Sequence, residues 1–368
     1  RENEDVIKSD LVPDLENTIQ PHDYQNECIR WADETDRGII ALDVGLGKTF
    51  VGILLARLRK QKGKARRPFC VVPKSVATNW AEEIETLTPG ARVMIIGESK
   101  KVLKRGQKII DKAKAEGRGL TEEERKVVEA NTRLVTDDTK TRNIKLARLK
   151  QEEYDFILCT QPAFERIPMR DDTLGRYAKS DFELTRRDAP AGITDKDSDK
   201  KRVAKMRESF MAARTSRERG DIDKSVVYWE DLGIDLLMAD EAHKYKNLHA
   251  TKRSFGAKKP KFLGGGGKSK LAFKMEAMSR FVREASPDNS VYFLTATPVK
   301  NSPVEVFNML QYIAPERLTA LGLNTVEDFI DRHCVMEERD VLNARDQTIE
   351  RQSCVVGFQN VQELEDVL

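Results

Sequence analysis

The chain has 368 residues, 34% of them charged, and a formal net charge of only +3. No apolar run nears the ~18 residues that a membrane span needs. The five scattered cysteines form no CxxC pair, which argues against a structural zinc site and fits a reducing cytoplasm. The length suits two average domains or one enlarged α/β domain, and the start at Arg1 suggests a piece cut from a longer polypeptide.

In chain order, residues 1–15 read as a linker. Pro21-His22-Asp23-Tyr24-Gln25 then opens a helix predicted over His22–Glu34. Gln25 can offer an adenine edge both a donor and an acceptor, and Tyr24 can pack beside the base. Next comes an apolar strand, Gly38–Val44, whose end overlaps Asp43-Val44-Gly45-Leu46-Gly47-Lys48-Thr49, and then a helix over Thr49–Lys60. This is the layout of a phosphate-binding P-loop. Two glycines let the backbone N–H groups from Gly45 through Leu46 and Gly47 curl around a polyphosphate. Lys48 reaches its β- and γ-phosphates, and the Thr49 hydroxyl can hold Mg²⁺. The general pattern places a glycine where Leu42 stands, so the loop departs from it at one position.

Further strands are predicted at Phe69–Pro73, Arg92–Ile96, Asp155–Thr160, Ile234–Ala239 and Val291–Thr295. Each is short and almost wholly apolar, as in parallel strands covered on both faces. Helices are predicted at Ser75–Leu87, Lys270–Ala285 and Pro303–Ile313. Alternating strands and helices predict an α/β, doubly wound parallel sheet whose ligands bind beyond the strand carboxyl ends.

Two stretches interrupt the alternation. Gly97–Lys150 reads as a charged helical hairpin, with 16 Lys/Arg against 8 Asp/Glu over residues 99–150. Phe164–Lys224 is a second, mixed insertion. Residues 251–270 carry seven Lys/Arg and no acid, and within them Gly264–Gly267 reads as a flexible basic loop because no strand precedes it. This uneven charge suggests a polyanion nearby. The sheet domain is expected over 16–315, with insertions at 97–150 and 164–224, and a helical segment over 316–368.

Asp240-Glu241-Ala242-His243 directly follows the strand Ile234–Ala239. Beside a P-loop, the first carboxylate can hold the Mg²⁺ that bridges the phosphates, and the second can take a proton from attacking water. Leu294-Thr295-Ala296-Thr297-Pro298 ends the last strand, where small hydroxyl residues can bond to those acids and respond to phosphate release.

In this order the motifs resemble those of superfamily 2 helicases and translocases, specifically the Swi/Snf-type branch. The match runs through Asp23-Tyr24-Gln25, DVGLGKT, Val72-Pro73-Lys74-Ser75 with Asn79-Trp80, Cys159-Thr160-Gln161, DEAHKYKN (Asp240–Asn247) and LTATPVKN (Leu294–Asn301). The missing glycine at Leu42 is normal for this branch. Ala296, where eukaryotic remodellers usually carry glycine, suggests a prokaryotic, phage or mobile-element relative.

The resemblance implies a RecA-like lobe that uses ATP and Mg²⁺. Lys48 and Thr49 would bind phosphates and metal, Asp240 would hold the metal, and Glu241 would activate water. His243, Thr295 and Thr297 would couple hydrolysis to nucleic acid, while Lys74, Ser75 and Thr160 would face a DNA strand. It further implies a second RecA-like lobe that supplies catalytic arginines, for which no second set of βα repeats stands in this sequence. The expected function is the ATP-binding lobe of a double-stranded DNA translocase in the cytoplasm of a prokaryotic or phage-infected cell, with other subunits possible through the insertions. The alternatives are a strand-separating DNA or RNA helicase and a nucleotide-gated DNA-binding module with little turnover.

Overall fold

The computed structural model describes residues 19–177, 226–249, 269–299, 302–342 and 349–365. The N-terminal linker, most of the second insertion, the basic Gly264–Gly267 loop and Asn301 lie outside them. In chain order the first elements are α1 (Asp23–Thr35), β1 (Arg37–Ala41), α2 (Lys48–Gln61), β2 (Pro68–Val72), α3 (Ala77–Leu87) and β3 (Val93–Ile96). Then come β4 (Glu98–Val102), α4 (Lys104–Ala115), α5 (Glu122–Ala130), β5 (Thr132–Thr136), α6 (Thr139–Gln151), β6 (Phe156–Thr160), α7 (Gln161–Phe164), β7 (Leu236–Asp240), α8 (Lys270–Ala285), β8 (Ser290–Thr295) and α9 (Val304–Ile313).

Six strands form one sheet in the order β1-β8-β7-β2-β6-β3, every neighbouring pair parallel. They are the six strands expected from the sequence, shifted by a few residues at their ends. Side chains alternate between two cores, as a strand's two-residue period requires. Cys70, Val72, Leu236, Met238, Tyr292 and Leu294 face one layer with α1, α2 and α3. Phe69, Val71, Leu237, Ala239, Val291 and Phe293 face the other with α6, α8 and α9. Burying one Leu or Ile side chain contributes about 1.5–3 kcal/mol, so both faces hold the sheet firmly.

A polar cluster fixes the far end of α2. Arg59 is fully buried and donates to Asp33 Oδ1 at 3.4 Å, Asp36 Oδ1 at 2.7 Å and the Tyr292 hydroxyl at 3.2 Å. Burial acts to raise the Asp33 carboxyl, but the adjacent Lys62 and Lys64 ammonium groups hold it below the usual range.

The first insertion differs from the expected helical hairpin over 97–150. Its helices α4 and α5 are flanked by an antiparallel ribbon in which β4 pairs with β5, from Glu98 opposite Thr136 to Val102 opposite Thr132. The excursion therefore closes at Thr136. Helix α6 belongs to the sheet's crossover, with Leu146 and Leu149 buried in the core. The ribbon is anchored by Asp137, whose carboxylate accepts from Gly97 N–H at 2.7 Å and from the Ser99 hydroxyl. Lys145 Nζ donates to the same carboxylate at 2.8 Å, and to the carbonyls of Ile95 and Glu98.

The segment 316–368 also departs from its helical expectation. After short helices at Pro315–Ala320 and Val326–His333, strands Cys334–Leu342 and Ile349–Phe358 pair antiparallel with a bulge between Val355 and Gly357. No helix among the described residues is long and apolar enough to cross a membrane.

Candidate nucleotide and nucleic-acid site

The register brings the sheet's carboxyl ends to one level. Ala41 of β1 pairs with Thr295 of β8, Asp240 of β7 with Leu294, Val71 of β2 with Ala239, and Val72 with Thr160 of β6. The loops that leave those ends therefore lie side by side. The glycine loop comes first, then Thr295-Ala296-Thr297, then Asp240-Glu241, then Pro73-Lys74-Ser75, then Gln161.

The glycine loop needs both of its glycines. Gly45 (φ +86°) and Gly47 (φ +79°) adopt the left-handed region, and Gly47 caps α2. A β-carbon on Gly47 would also come within 2.6 Å of Gln25 Nε2. Lys48 Nζ folds back to donate to the carbonyls of Leu42 at 3.1 Å and Asp43 at 3.3 Å, while Thr49 sits half-buried in the first turn of α2.

Gln25 is buried rather than open to a ligand. Its Nε2 donates to Leu46 O at 3.1 Å, and its Oε1 accepts from the His22 N–H at 2.9 Å. In this structure its amide clasps the glycine loop to α1, which its sequence position had suggested for an adenine edge. Tyr24 also donates to Leu46 O, at 3.3 Å, and its exposed ring stacks on His22 with an interplanar angle of 9°.

The acidic pair splits into a buried and an open member. Asp240 Oδ1 accepts from the Glu241 N–H at 2.8 Å, and Oδ2 accepts from Trp80 Nε1 at 3.0 Å. Burial pushes the Asp240 carboxyl up, against the pull of those two donors and of nearby Lys48. Glu241 takes the left-handed conformation (φ +52°), uncommon for a non-glycine residue, and its half-exposed carboxylate pairs with His243 Nδ1 at 2.9 Å. Thr295 is wholly buried and its hydroxyl accepts from the N–H of exposed Thr297 at 3.1 Å, which braces that loop.

One buried carboxylate, Asp240, fits Mg²⁺, which keeps several waters and draws its other ligands from substrate phosphates. Among the described residues there is no group of three or more His, Cys, Asp or Glu side chains able to cage a metal without phosphate.

Trp80, seen in sequence only as part of a motif, is the residue whose contact with Asp240 sequence reading missed. Its position on an apolar helical stripe explains its burial, and only the sheet register brings its indole N–H to Asp240. Second-layer donors of this kind orient a metal ligand. Trp80→Phe keeps most of the ring volume and removes the donor. The expected result is a folded protein whose Mg²⁺ requirement for nucleotide binding rises by about 10–100-fold. Unchanged Mg²⁺ dependence in a titration would show that the indole only fills space.

Beyond the acidic pair the strand ends open into a groove of about 750 Å³ bordered by Lys74, Ser75, Gln161, Lys244 and, from the ribbon, Glu98 and Leu134. Lys74 Nζ donates to Thr136 Oγ1 at 2.6 Å and lies 3.8 Å from Glu98, while Lys244 Nζ donates to Gln161 Oε1 at 2.8 Å. Lys74 and Ser75, expected from sequence to face a DNA strand, line this groove. Thr160 does not, because its side chain is buried beneath Gly97, where a β-carbon would come within 2.0 Å of its hydroxyl. Lys244 stands in the groove instead.

A parallel sheet that carries a glycine loop, an acidic pair and a hydroxyl loop on adjacent strand ends defines a RecA-like lobe of the helicase class. Residues 123–349 match the family described as probable helicase domain, and the chain belongs to that family. It is similar to "Defense against restriction protein B" of Escherichia phage P1, 29% identical over 363 residues that make up 96% of this chain and 16% of that protein. It is also similar to "Helicase SWR1" of Candida albicans, 34% identical over 98 residues, 25% of this chain and 6% of that protein. Among solved structures, the Sulfolobus solfataricus SWI2/SNF2 ATPase core in complex with dsDNA aligns with a TM-score of 0.40 and 14% identity, over 88% of this chain and 40% of that one. The chain therefore spans a small part of the curated relatives it matches.

Proposed function

We propose that this chain is the ATP-binding lobe of a motor that moves along double-stranded DNA. The observation that carries this reading is the shared level of five strand ends, which runs the glycine loop, the acidic pair and the Lys74–Ser75 groove into one continuous edge.

In this reading Lys48 swings from the Leu42 and Asp43 carbonyls to the β- and γ-phosphates, and the N–H groups of Gly45, Leu46 and Gly47 cradle them. Thr49 and Asp240 would hold Mg²⁺, which would supply charge neutralisation at the phosphates. Glu241 leaves His243 and accepts the proton of the attacking water. Tyr24 offers its exposed face to the base, and Gln25 tethers the loop. Helix α3 starts directly after Lys74 and Ser75 and holds Asp240 through Trp80, so the metal site and the groove share one rigid element. His243, Thr295 and Thr297 lie along the same edge and complete the coupling.

Lys74, Ser75 and Lys244 are assigned to phosphate oxygens rather than bases, which suits a motor that tracks any sequence. A second RecA-like lobe would supply the arginines that stabilise the transition state, worth roughly 10³–10⁵ in rate in comparable NTPases. The phage relative's name speaks of defence against restriction, and a DNA-associated setting is proposed here. The reading is tested by the nucleic-acid dependence of ATP hydrolysis, with duplex DNA expected to stimulate more than single strands or RNA.

A further inference from the structure

The first insertion carries cations that the lobe's own fold does not use. Lys100, Lys101 and Arg133 on the ribbon, and Lys104, Arg105 and Lys108 on the first turns of α4, are all exposed. None of the six has an acidic partner among the described residues. Other cations of the insertion are paired, Arg118 with Glu116 and Glu124, Lys112 with Glu116 and Lys126 with Glu122.

Two placements disfavour the isolated insertion. Lys101 lies directly opposite Arg133 across the ribbon, and like charges in that position repel. Lys104 and Arg105 occupy the opening turn of α4, which has no acidic residue, so they face the positive end of the helix dipole. Both arrangements are relieved by an anion that spans the ribbon and the start of α4.

The ribbon's place in the fold says which anion. Glu98, Lys100 and Val102 alternate onto one face of β4, opposite Thr136, Leu134 and Thr132. Glu98 and Leu134 of that face form a wall of the Lys74–Ser75 groove. Lys100 of that face therefore stands beside the groove, while Lys101 and Arg133 stand on the ribbon's other face, and a polyanion that reaches around the ribbon from the groove would meet all three. A rigid polyanion with regularly spaced charges matches this extended surface better than a single phosphate or carboxylate does.

We propose that the β4–β5 ribbon and the start of α4 form a second, sequence-independent contact with the phosphate backbone of duplex DNA, continuous with the groove. This rests on the motor reading above, and it assigns the insertion to track binding rather than to protein docking. The α4–α5 hairpin would then clasp the duplex while the motor edge acts on it.

The test is salt-dependent duplex binding by the whole chain, comparing wild type with K100Q/K101Q/R133Q and K104Q/R105Q/K108Q. Each variant changes exposed residues only, and a melting curve checks that it folds. If all three cations touch phosphates, each triple variant flattens the slope of log K against log salt by up to about 2.7, from ~0.9 per phosphate contact. A reduction of at least one unit is expected, with weaker binding at physiological salt. Lys74→Ala reads the groove separately. A wild type that binds duplex while both triple variants keep its slope and affinity overturns this proposal alone, and points the cations toward an acidic protein. A wild type that binds no nucleic acid at all overturns the motor reading together with it.

Discussion

Lys48→Ala abolishes Mg·ATP binding while leaving the lobe folded. In the free lobe the ammonium rests on the carbonyls of Leu42 and Asp43, at the half-exposed mouth of the glycine loop. Those carbonyls can be rehydrated when the side chain is cut back, so the cost to stability is small. The cost to nucleotide binding is not. Each hydrogen bond to a charged group contributes about 1.5–3 kcal/mol, and Lys48 is assigned two, to the β- and γ-phosphates. Their loss amounts to about 3–6 kcal/mol, or roughly 10²–10⁴-fold in affinity. Titration calorimetry with Mg·ATP measures it, with the melting temperature as control. Unchanged affinity would remove the glycine loop from the site.

Glu241→Gln retains nucleotide and loses turnover. Glutamine keeps the size of the side chain and can still hydrogen-bond to His243, so the left-handed turn at this position is undisturbed. What it lacks is a carboxylate to take the proton from water, and positioned general bases contribute typically 10²–10⁴-fold. The expected outcome is a fall of about that size in the ATP hydrolysis rate of a protein that carries both RecA-like lobes, with Mg·ATP affinity equal to wild type or tighter. Near-normal hydrolysis would pass the role of base to another group. Asp240 is a poor substitute, because its carboxylate is assigned to Mg²⁺ and is fixed in place by Trp80 and backbone.

The parts of this lobe that could be read from sequence are those whose chemistry is local. The six parallel strands were legible because strands covered on both faces are continuous apolar runs, and the acidic pair Asp240-Glu241 stands at the end of one of them, as its place after Ala239 suggested. The glycine loop was legible because Gly45 and Gly47 occupy a backbone region that other residues avoid. The ribbon β4–β5 was not, since both its faces meet solvent or polar neighbours, and Glu-Ser-Lys-Lys-Val carries no two-residue apolar rhythm. For the same reason the charged strand Cys334–Leu342 read as helix.

Side-chain destinations were harder still. Thr160 ends an apolar strand just as Lys74 follows one, yet Gly97 covers it, and that neighbour comes from the junction between β3 and β4. Gln25 and Trp80 each carry one polar atom whose partner lies 21 and 160 residues away in sequence. Spacing along a single helix cannot reveal such a partner. Gln25 holds the glycine loop and Trp80 holds the Asp240 carboxylate in place.

The account's central claim is that nucleotide and nucleic acid act on one edge of this sheet. The most direct measurement is the rate of ATP hydrolysis by a protein that carries this lobe and a second RecA-like lobe, with and without duplex DNA, at fixed salt. Hydrolysis that is slow alone, rises at least tenfold with duplex, and vanishes with Lys48→Ala agrees with the account. Hydrolysis at the same rate with duplex, single strands, RNA or no nucleic acid would contradict it.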